Sequence, residues 1–208
     1  LRFVKPEFIR LVKKHSIFCN HLHISLQSGS NRILKSMNRP YTVSEYEETV
    51  NDLKKNIQGF QVSTDIIVGF PGETEREYQE TLDFVEKIKF SKIHVFPYSS
   101  RIGTKAANFE NQIDAKTKKA RSSRLLAIES SIRYTIQENY IGKTVQILLE
   151  SNGTGLTRNY LRVRLQSPTG ENDVGDLHEV VVSNSDVNCL YAKLKGVDFF
   201  NGSSTKKR

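Results

Sequence analysis

The first 110 residues alternate between two patterns of apolar and polar positions. Segments that are β-branched, or that alternate apolar with polar side chains, predict strands, whereas apolar residues three or four positions apart predict helices. Strands are predicted at 21–26, 61–70 and 92–98, and helices at 6–14, 31–37, 44–56 and 75–89. Because strands and helices take turns along the chain, the pattern predicts an α/β fold with a parallel sheet and right-handed crossovers.

A long helix is predicted from residue 114 to about residue 140. Asp114 is a typical N-cap, and one apolar stripe follows it at spacings of three and four, made of Leu125, Ile128, Ile132 and Ile136. The first turns of the helix are basic, and they form either a solvated helix face or a set of contacts with RNA phosphates. The basic residues are Lys116, Lys118, Lys119, Arg121 and Arg124.

After residue 142 the pattern changes to short alternating strands separated by glycine turns. The predicted strands are 144–150, 160–166 and 177–182. Short strands at this spacing are typical of a small β-barrel. The sequence therefore divides into an α/β part at 1–110, a bridging basic helix at 111–137, a β-barrel at 138–200 and a disordered basic tail at 201–208.

Charge and composition narrow the functional classes. The chain has 208 residues and a formal net charge of +8, of which only +1 falls from residue 137 onwards. This positive charge suits an anionic partner such as RNA. No apolar run approaches the ~20 residues of a membrane span, and with two cysteines and no signal peptide we expect a reduced, cytoplasmic protein. Because the chain opens at Leu1 rather than Met, we expect either a fragment of a longer protein or a processed product.

Polar loops follow the predicted strands, at the end of the sheet where parallel α/β proteins bind ligands. After the second strand, Gly69 lets the backbone approach a ligand closely, and the Glu73 carboxylate suits an amine or a hydroxyl. After the third strand, Arg101 suits a carboxylate or a phosphate. An ordinary turn and a plain surface arginine remain as alternatives. His21 and His23 share a strand face, but no third ligand is in sight, so we expect no metal site.

Three segments in a fixed order carry a resemblance to a known family. They read His-Leu-His-Ile-Ser-Leu-Gln-Ser-Gly-Ser at 21–30, Asp-Ile-Ile-Val-Gly-Phe-Pro-Gly-Glu-Thr at 65–74 and Phe-Pro-Tyr-Ser-Ser-Arg-Ile-Gly-Thr-Lys-Ala at 96–106. They resemble the radical-SAM methylthiotransferases. The segment Asn-Tyr-Leu-Arg-Val at 159–163 is most similar to the branch that modifies threonylcarbamoyladenosine beside the tRNA anticodon. Sister branches act on isopentenyladenosine in tRNA or on an aspartate of a ribosomal protein.

The resemblance implies a fold, a reaction and a set of contacts. The fold is the second half of a radical-SAM partial (βα) barrel followed by a small RNA-binding barrel called TRAM. The reaction adds a methylthio group at C2 of the adenine ring. The cofactor S-adenosyl-L-methionine would contact Gln27, Ser28, Gly29, Gly69 and Glu73. The substrate would contact Arg101, and tRNA would contact Tyr160, Arg162 and Arg164 of the TRAM barrel. Because that barrel carries a charge of only +1, we expect the basic helix, rather than the barrel alone, to supply much of the phosphate contact.

The cysteine count departs from the family pattern. The family holds a 4Fe–4S cluster on a three-cysteine motif, and most members hold a second cluster on an N-terminal domain, whereas this chain has two distant cysteines. We therefore expect this chain to bind no cluster or cofactor stably and to be inactive alone.

The expected partners are a tRNA anticodon stem-loop and a protein that covers the open edge of the half barrel. That protein is either the rest of a longer chain or a second copy of this one. An RNA-binding adaptor without catalysis remains an alternative. An unrelated α/β enzyme with a phosphate-binding loop is disfavoured, because the sequence has neither a Walker nor a dinucleotide fingerprint.

Overall fold

A three-stranded parallel sheet lies at the centre of the first half of the chain. The computed structural model describes residues 4–166 and 174–195, so the predicted tail at 201–208 lies outside the described residues. Ser63 on the middle strand pairs with His23 on one side and with Lys92 on the other. The predicted parallel α/β sheet is therefore confirmed. Its strands, in spatial order, are β1 (His21–His23), β2 (Gln61–Val68) and β3 (Lys92–Pro97).

Four helices alternate along the chain with the strands of this sheet, and two of them begin with a capping box. Thr42 and Glu45 exchange side-chain to backbone hydrogen bonds at the start of one helix, and Thr74 and Glu77 do so at the start of another. This exchange satisfies N–H groups that have no partner inside the helix. Tyr46 from the first of these helices is completely buried in the core beneath the sheet. The helices are α1 (Pro6–Lys14), α2 (Asn31–Ser36), α3 (Val43–Asn56) and α4 (Glu75–Ile88).

A 24-residue helix, α5 (Ala115–Glu138), joins the two halves of the chain. Asp114 caps it by accepting the backbone N–H of Thr117. Leu125 is completely buried in the core of the α/β part, whereas Ile136 packs against the core of the β part. The apolar stripe therefore contacts both cores. Among the described residues, no helix combines the length and the apolar character needed to cross a membrane.

The second half forms a closed five-stranded barrel, which confirms the predicted small β-barrel. Two of its strands were not predicted. One of them contains Gly155, and glycine is more typical of turns than of strands. Glycine is needed at this position because a Cβ would lie 2.7 Å from the carbonyl oxygen of Leu148 on the neighbouring strand. The strands are β4 (Thr144–Glu150), β5 (Thr154–Thr157), β6 (Arg162–Leu165), β7 (Leu177–Ser185) and β8 (Leu190–Leu194), joined in the order β4-β5-β6-β8-β7.

The segment before β6 docks the barrel onto the α/β part. The strand predicted at 160–166 starts two residues later, because Tyr160 adopts a φ of +66° and donates its N–H to the carbonyl of Thr157 in a turn. In this turn the Tyr160 ring stacks on His21 with a centroid distance of 4.6 Å. Arg158 donates to the carbonyl oxygens of Ser16 and Phe18 in the loop before β1. The turn thus fixes the barrel near the start of the parallel sheet.

Candidate functional site

A groove of about 550 Å³ lies where the carboxyl ends of the three parallel strands meet. Gln27 lines it from the loop after β1, Asp65 and Ile67 line it from β2, and Tyr98 and Arg101 line it from the segment after β3. The structure therefore brings Gln27, a predicted cofactor residue, to the same groove as Arg101, the predicted substrate residue. A volume of this size is within the usual range for small-molecule sites.

Gln27 is held in an unusual backbone conformation at the edge of the groove. Its φ is +73°, in the left-handed region that residues other than glycine rarely adopt. Two hydrogen bonds to β2 fix it there, from the Gln27 N–H to the Asp65 carbonyl at 2.8 Å and from the Ile67 N–H to the Gln27 carbonyl at 2.9 Å. Backbone strain of this kind clusters at ligand sites.

Ser28 and Gly29 are fixed by packing against α4. The Gly29 N–H donates to the Thr81 hydroxyl at 3.0 Å, and Ser28 is completely buried. A Cβ on Gly29 would lie 2.6 Å from the Thr81 Cα, so this loop approaches the helix as closely as glycine allows. Both residues therefore support the conformation of Gln27 through the loop.

Glu73 closes the loop after β2 and pairs with α5. Its Oε2 accepts the Gly69 N–H and the Arg121 Nη1, each at 2.7 Å. Burial raises the pKa of the Glu73 carboxyl, and the Gly69 N–H and the Arg121 guanidinium oppose that shift. Gly69 has a φ of +70°, and a Cβ there would lie 2.3 Å from Cγ of Lys118. The two predicted cofactor residues thus join the loop to the long helix.

Arg121 is placed differently from the other basic residues of α5. It is only 7% exposed, and besides Glu73 it contacts Glu75 at 3.2 Å and the face of Tyr78 at 5.1 Å. Its guanidinium is therefore committed to the interior rather than to a phosphate. Lys118 is also half-buried and donates to the Tyr98 carbonyl at 3.1 Å.

The remaining predicted RNA contacts lie on exposed surfaces. On α5, Lys116, Lys119 and Arg124 are exposed. On β6, Arg162 and Arg164 are both exposed, while Val163 between them is buried in the barrel core. Arg162 has a carboxylate neighbour, since its Nη1 lies 3.4 Å from the Oε2 of an acidic side chain on β4. Tyr160 is 56% exposed, on the turn that stacks against His21.

A hydrogen-bonded group of polar side chains lies on the same face of the sheet as Asp65. His21 Nε2 and His23 Nδ1 each lie 3.0 Å from the Ser63 hydroxyl, and His23 Nε2 lies 3.0 Å from Asp65 Oδ2. The Ser25 hydroxyl donates to Asp65 Oδ2 at 2.7 Å. Burial, reinforced by the nearby His23, lowers the pKa of His21 to about 4. His21 is therefore neutral at physiological pH.

Asp65 stays ionised within this group. Partial burial opposes its ionisation, but the hydrogen bonds from Ser25 and His23 outweigh burial and hold the pKa of Asp65 below its usual value. His94 on β3 lies directly across from Asp65 in the parallel register. Asp65 and His94 were not among the predicted site residues. Their pairing depends on the register between β2 and β3, which the bounds of the predicted strands do not fix.

Comparisons with known proteins identify this chain as a radical-SAM protein. A family model described as the radical SAM superfamily matches residues 2–85. Among solved structures, the radical-SAM enzyme coproporphyrinogen III oxidase (HemN) from Escherichia coli superposes with a TM-score of 0.54 at 13% identity, covering 92% of this chain and 49% of that chain. At this low identity the likeness concerns the fold alone.

Sequence relatives narrow the class further. The chain is 40% identical over 169 residues to the threonylcarbamoyladenosine tRNA methylthiotransferase MtaB of Bacillus subtilis, covering 77% of this chain and 38% of the relative. It is 47% identical over 132 residues to the tRNA-2-methylthio-N(6)-dimethylallyladenosine synthase of Acetivibrio thermocellus, covering 64% of this chain and 28% of the relative. The chain belongs to the radical-SAM tRNA methylthiotransferase family. It spans about a third of the length of these curated relatives.

Proposed function

We propose that this chain supplies the cofactor-and-substrate groove and the RNA-binding surface of a tRNA methylthiotransferase. The observation that carries the proposal is the convergence of Gln27 and Arg101 on one groove at the carboxyl ends of the parallel strands. In this proposal Gln27 contacts S-adenosyl-L-methionine, and the loops that contain Gly29 and Glu73 hold the groove in shape. The cofactor supplies the methyl and radical chemistry of the family when it is bound.

The substrate we propose is threonylcarbamoyladenosine beside the tRNA anticodon. The threonylcarbamoyl group carries a carboxylate, and an arginine is the side chain best suited to bind one. Arg101 is exposed at the groove and is available to bind it. A dimethylallyl group is apolar and uncharged, so it gives an arginine no partner.

The residues of this chain do not fit an iron–sulfur cluster. Such clusters are held by several cysteine thiolates. The sequence has two cysteines, of which Cys19 is exposed and Cys189 is buried in the other half of the molecule. We therefore assign binding of substrate and cofactor to this chain, and no step of the reaction that runs through a cluster.

For tRNA we propose two exposed basic surfaces. One is Lys116, Lys119 and Arg124 on α5, and the other is Arg162 and Arg164 on β6. Both surfaces carry the charge that phosphate contacts require. Arg121 is left out because its guanidinium is buried against Glu73. Lys118 makes a smaller contribution, since its ammonium group already donates to a carbonyl.

A binding experiment tests the substrate. An anticodon stem-loop that carries threonylcarbamoyladenosine is compared with the same stem-loop carrying adenosine, by filter binding to this chain. We expect the modified RNA to bind more tightly, and we expect Arg101→Gln to remove that preference. Arg76→Gln is the matched control, because Arg76 is a highly exposed arginine on α4 away from the groove. Equal binding of both RNAs by the unaltered chain would contradict the proposed substrate.

A second measurement separates this proposal from an RNA-binding adaptor. The adaptor is a candidate because the sequence has only two cysteines. S-adenosyl-L-methionine is titrated into the chain by calorimetry, with Gln27→Ala as the variant. We expect only weak binding, because the chain lacks the cluster cysteines, and a further loss of binding in this variant supports the cofactor groove. RNA binding without any cofactor binding would favour the adaptor.

A further inference from the structure

Three side chains of ligand type meet on one face of the parallel sheet, and the proposed function gives none of them a role. They are His23 on β1, Asp65 on β2 and His94 on β3, and one donor atom from each lies within 4.8 Å of the other two. Asp65 and His94 are direct register partners on neighbouring strands. The rings of His23 and His94 have centroids 5.8 Å apart. Each residue belongs to a different strand of a rigid parallel sheet, so the backbone positions all three.

We propose that His23, Asp65 and His94 bind one divalent transition-metal ion. Two imidazole nitrogens and one carboxylate oxygen are a ligand set that suits Zn²⁺ and other first-row divalent ions. At bond lengths of about 2.0–2.1 Å, two ligands of a tetrahedral ion lie about 3.3 Å apart. His23 Nε2 and Asp65 Oδ2 are 3.0 Å apart, close to that spacing. Three protein ligands leave a further coordination position open.

Neighbouring side chains orient these ligands as metal sites require. A histidine that binds a metal through one nitrogen usually uses the other in a hydrogen bond that fixes its ring. His23 Nδ1 lies 3.0 Å from the Ser63 hydroxyl, which leaves Nε2 facing Asp65. Asp65 in turn accepts the Ser25 hydroxyl at 2.7 Å.

The group is open enough to take up an ion. The side chain of His23 is 41% exposed and that of Asp65 is 25% exposed. Asp65 also lines the groove, so the open coordination position is reached from the same space as the proposed ligand. The competing explanation is a hydrogen-bonded network that never holds a metal, since a proton between His23 and Asp65 would stabilise the same geometry.

Metal titration of the whole chain decides between these explanations. The chain is first stripped with a chelator, then titrated with Zn²⁺ by calorimetry and with Co²⁺ by absorbance, in the absence of RNA and S-adenosyl-L-methionine. We expect one Zn²⁺ per chain, and a Co²⁺ spectrum with ligand-field bands but without a thiolate charge-transfer band. Because neither RNA nor cofactor is present, the result does not depend on the proposed function.

Variants tie the binding to the three ligands. His94→Ala removes an exposed ligand at little risk to folding, and Asp65→Asn keeps the shape of the side chain while weakening its metal affinity. Either change should abolish stoichiometric binding. Ser63→Ala removes only the hydrogen bond that orients His23 and should weaken binding about tenfold.

His15→Ala and Cys19→Ser are the matched controls, because these two side chains are exposed donors outside the cluster. Both should bind Zn²⁺ as the unaltered chain does. Failure of the unaltered chain to bind either ion would overturn the proposal. Binding that disappears in a control variant but persists in His94→Ala would also overturn it.

Discussion

The ion pair between Glu73 and Arg121 should be one of the strongest single interactions between α5 and the loop after β2. Their side chains are 1% and 8% exposed, and Arg121 Nη1 donates both to Glu73 Oε2 at 2.7 Å and to the Glu73 carbonyl at 3.1 Å. Arg121→Met keeps most of the apolar stem but leaves a buried carboxylate without its cation. Removing one partner of a buried pair costs about 3–5 kcal/mol. For a chain of this length that corresponds to a fall in Tm of about 10 °C.

The stability lost in Arg121→Met should also depend on pH. Burial already raises the pKa of Glu73, and loss of the guanidinium raises it further. In the unfolded chain the same carboxyl titrates near its ordinary pKa of about 4.3. Above that pH the folded variant holds a proton that the unfolded chain has released, so the stability of the variant falls as the pH rises. The free energy of unfolding of Arg121→Met should therefore approach that of the unaltered chain near pH 4.5 and be furthest below it at neutral pH.

Urea unfolding followed by circular dichroism at several pH values measures both effects. Arg124→Met is the matched control, because Arg124 is 52% exposed on the same helix and pairs with an exposed carboxylate. Exposed pairs of this kind contribute about 0–1 kcal/mol. The double variant Glu73→Gln with Arg121→Met should lose less stability than the sum of the losses in the two single variants. If Arg121→Met loses no more stability than Arg124→Met, the buried pair does not hold the loop to the helix.

Three other experiments probe the basic helix, the cysteines and the loop after β1. Changing Lys116, Lys119 and Arg124 together to Gln should reduce the slope of log K against log salt for a tRNA stem-loop by about 0.9 for each duplex phosphate that the helix no longer neutralises. An unchanged slope and affinity in filter binding would mean that this helix surface is merely solvated. Anaerobic incubation with iron and sulfide should give no stoichiometric 4Fe–4S absorbance, because the sequence has two cysteines. Gly29→Ala should lower the urea midpoint by an amount equivalent to about 1–3 kcal/mol, since its Cβ would meet the backbone of α4; an unchanged midpoint would refute that close approach.

Helical spacing alone could have separated the buried arginine from the exposed basic residues of α5. Leu125 is completely buried, and Arg121 precedes it by four positions on the same face of the helix. Lys118, one turn earlier, is half-buried for the same reason. Lys116 and Lys119 lie off that face and are exposed. A basic run was therefore recognisable from the sequence, whereas the partner of Arg121 was not, because Glu73 lies 48 residues away.

The end of β1 was predictable only in part. Alternation of polar and apolar side chains predicts a strand over 21–26, yet the regular strand is His21–His23. Beyond it, side chains replace part of the backbone pairing. The Leu26 N–H donates to the Thr64 hydroxyl at 2.8 Å, and that hydroxyl donates to the Ile24 carbonyl at 2.8 Å. A hydrophobic pattern reports which face of a segment is buried, but not which group accepts its hydrogen bonds.

The position of His94 shows that the sequence alone does not predict which side chains of neighbouring strands meet. His23 and His94 are 71 positions apart, and neither has a metal-ligand spacing to the other along the chain. The parallel sheet brings the two histidines close together in space. Asp65 on the middle strand pairs with His94 on β3, and it contacts the His23 ring on β1. The polar residues of each strand lie on one face, since side chains alternate along a strand. Predicting the group therefore requires the register between strands as well as the identity of each strand, and the register is a property of the packed sheet.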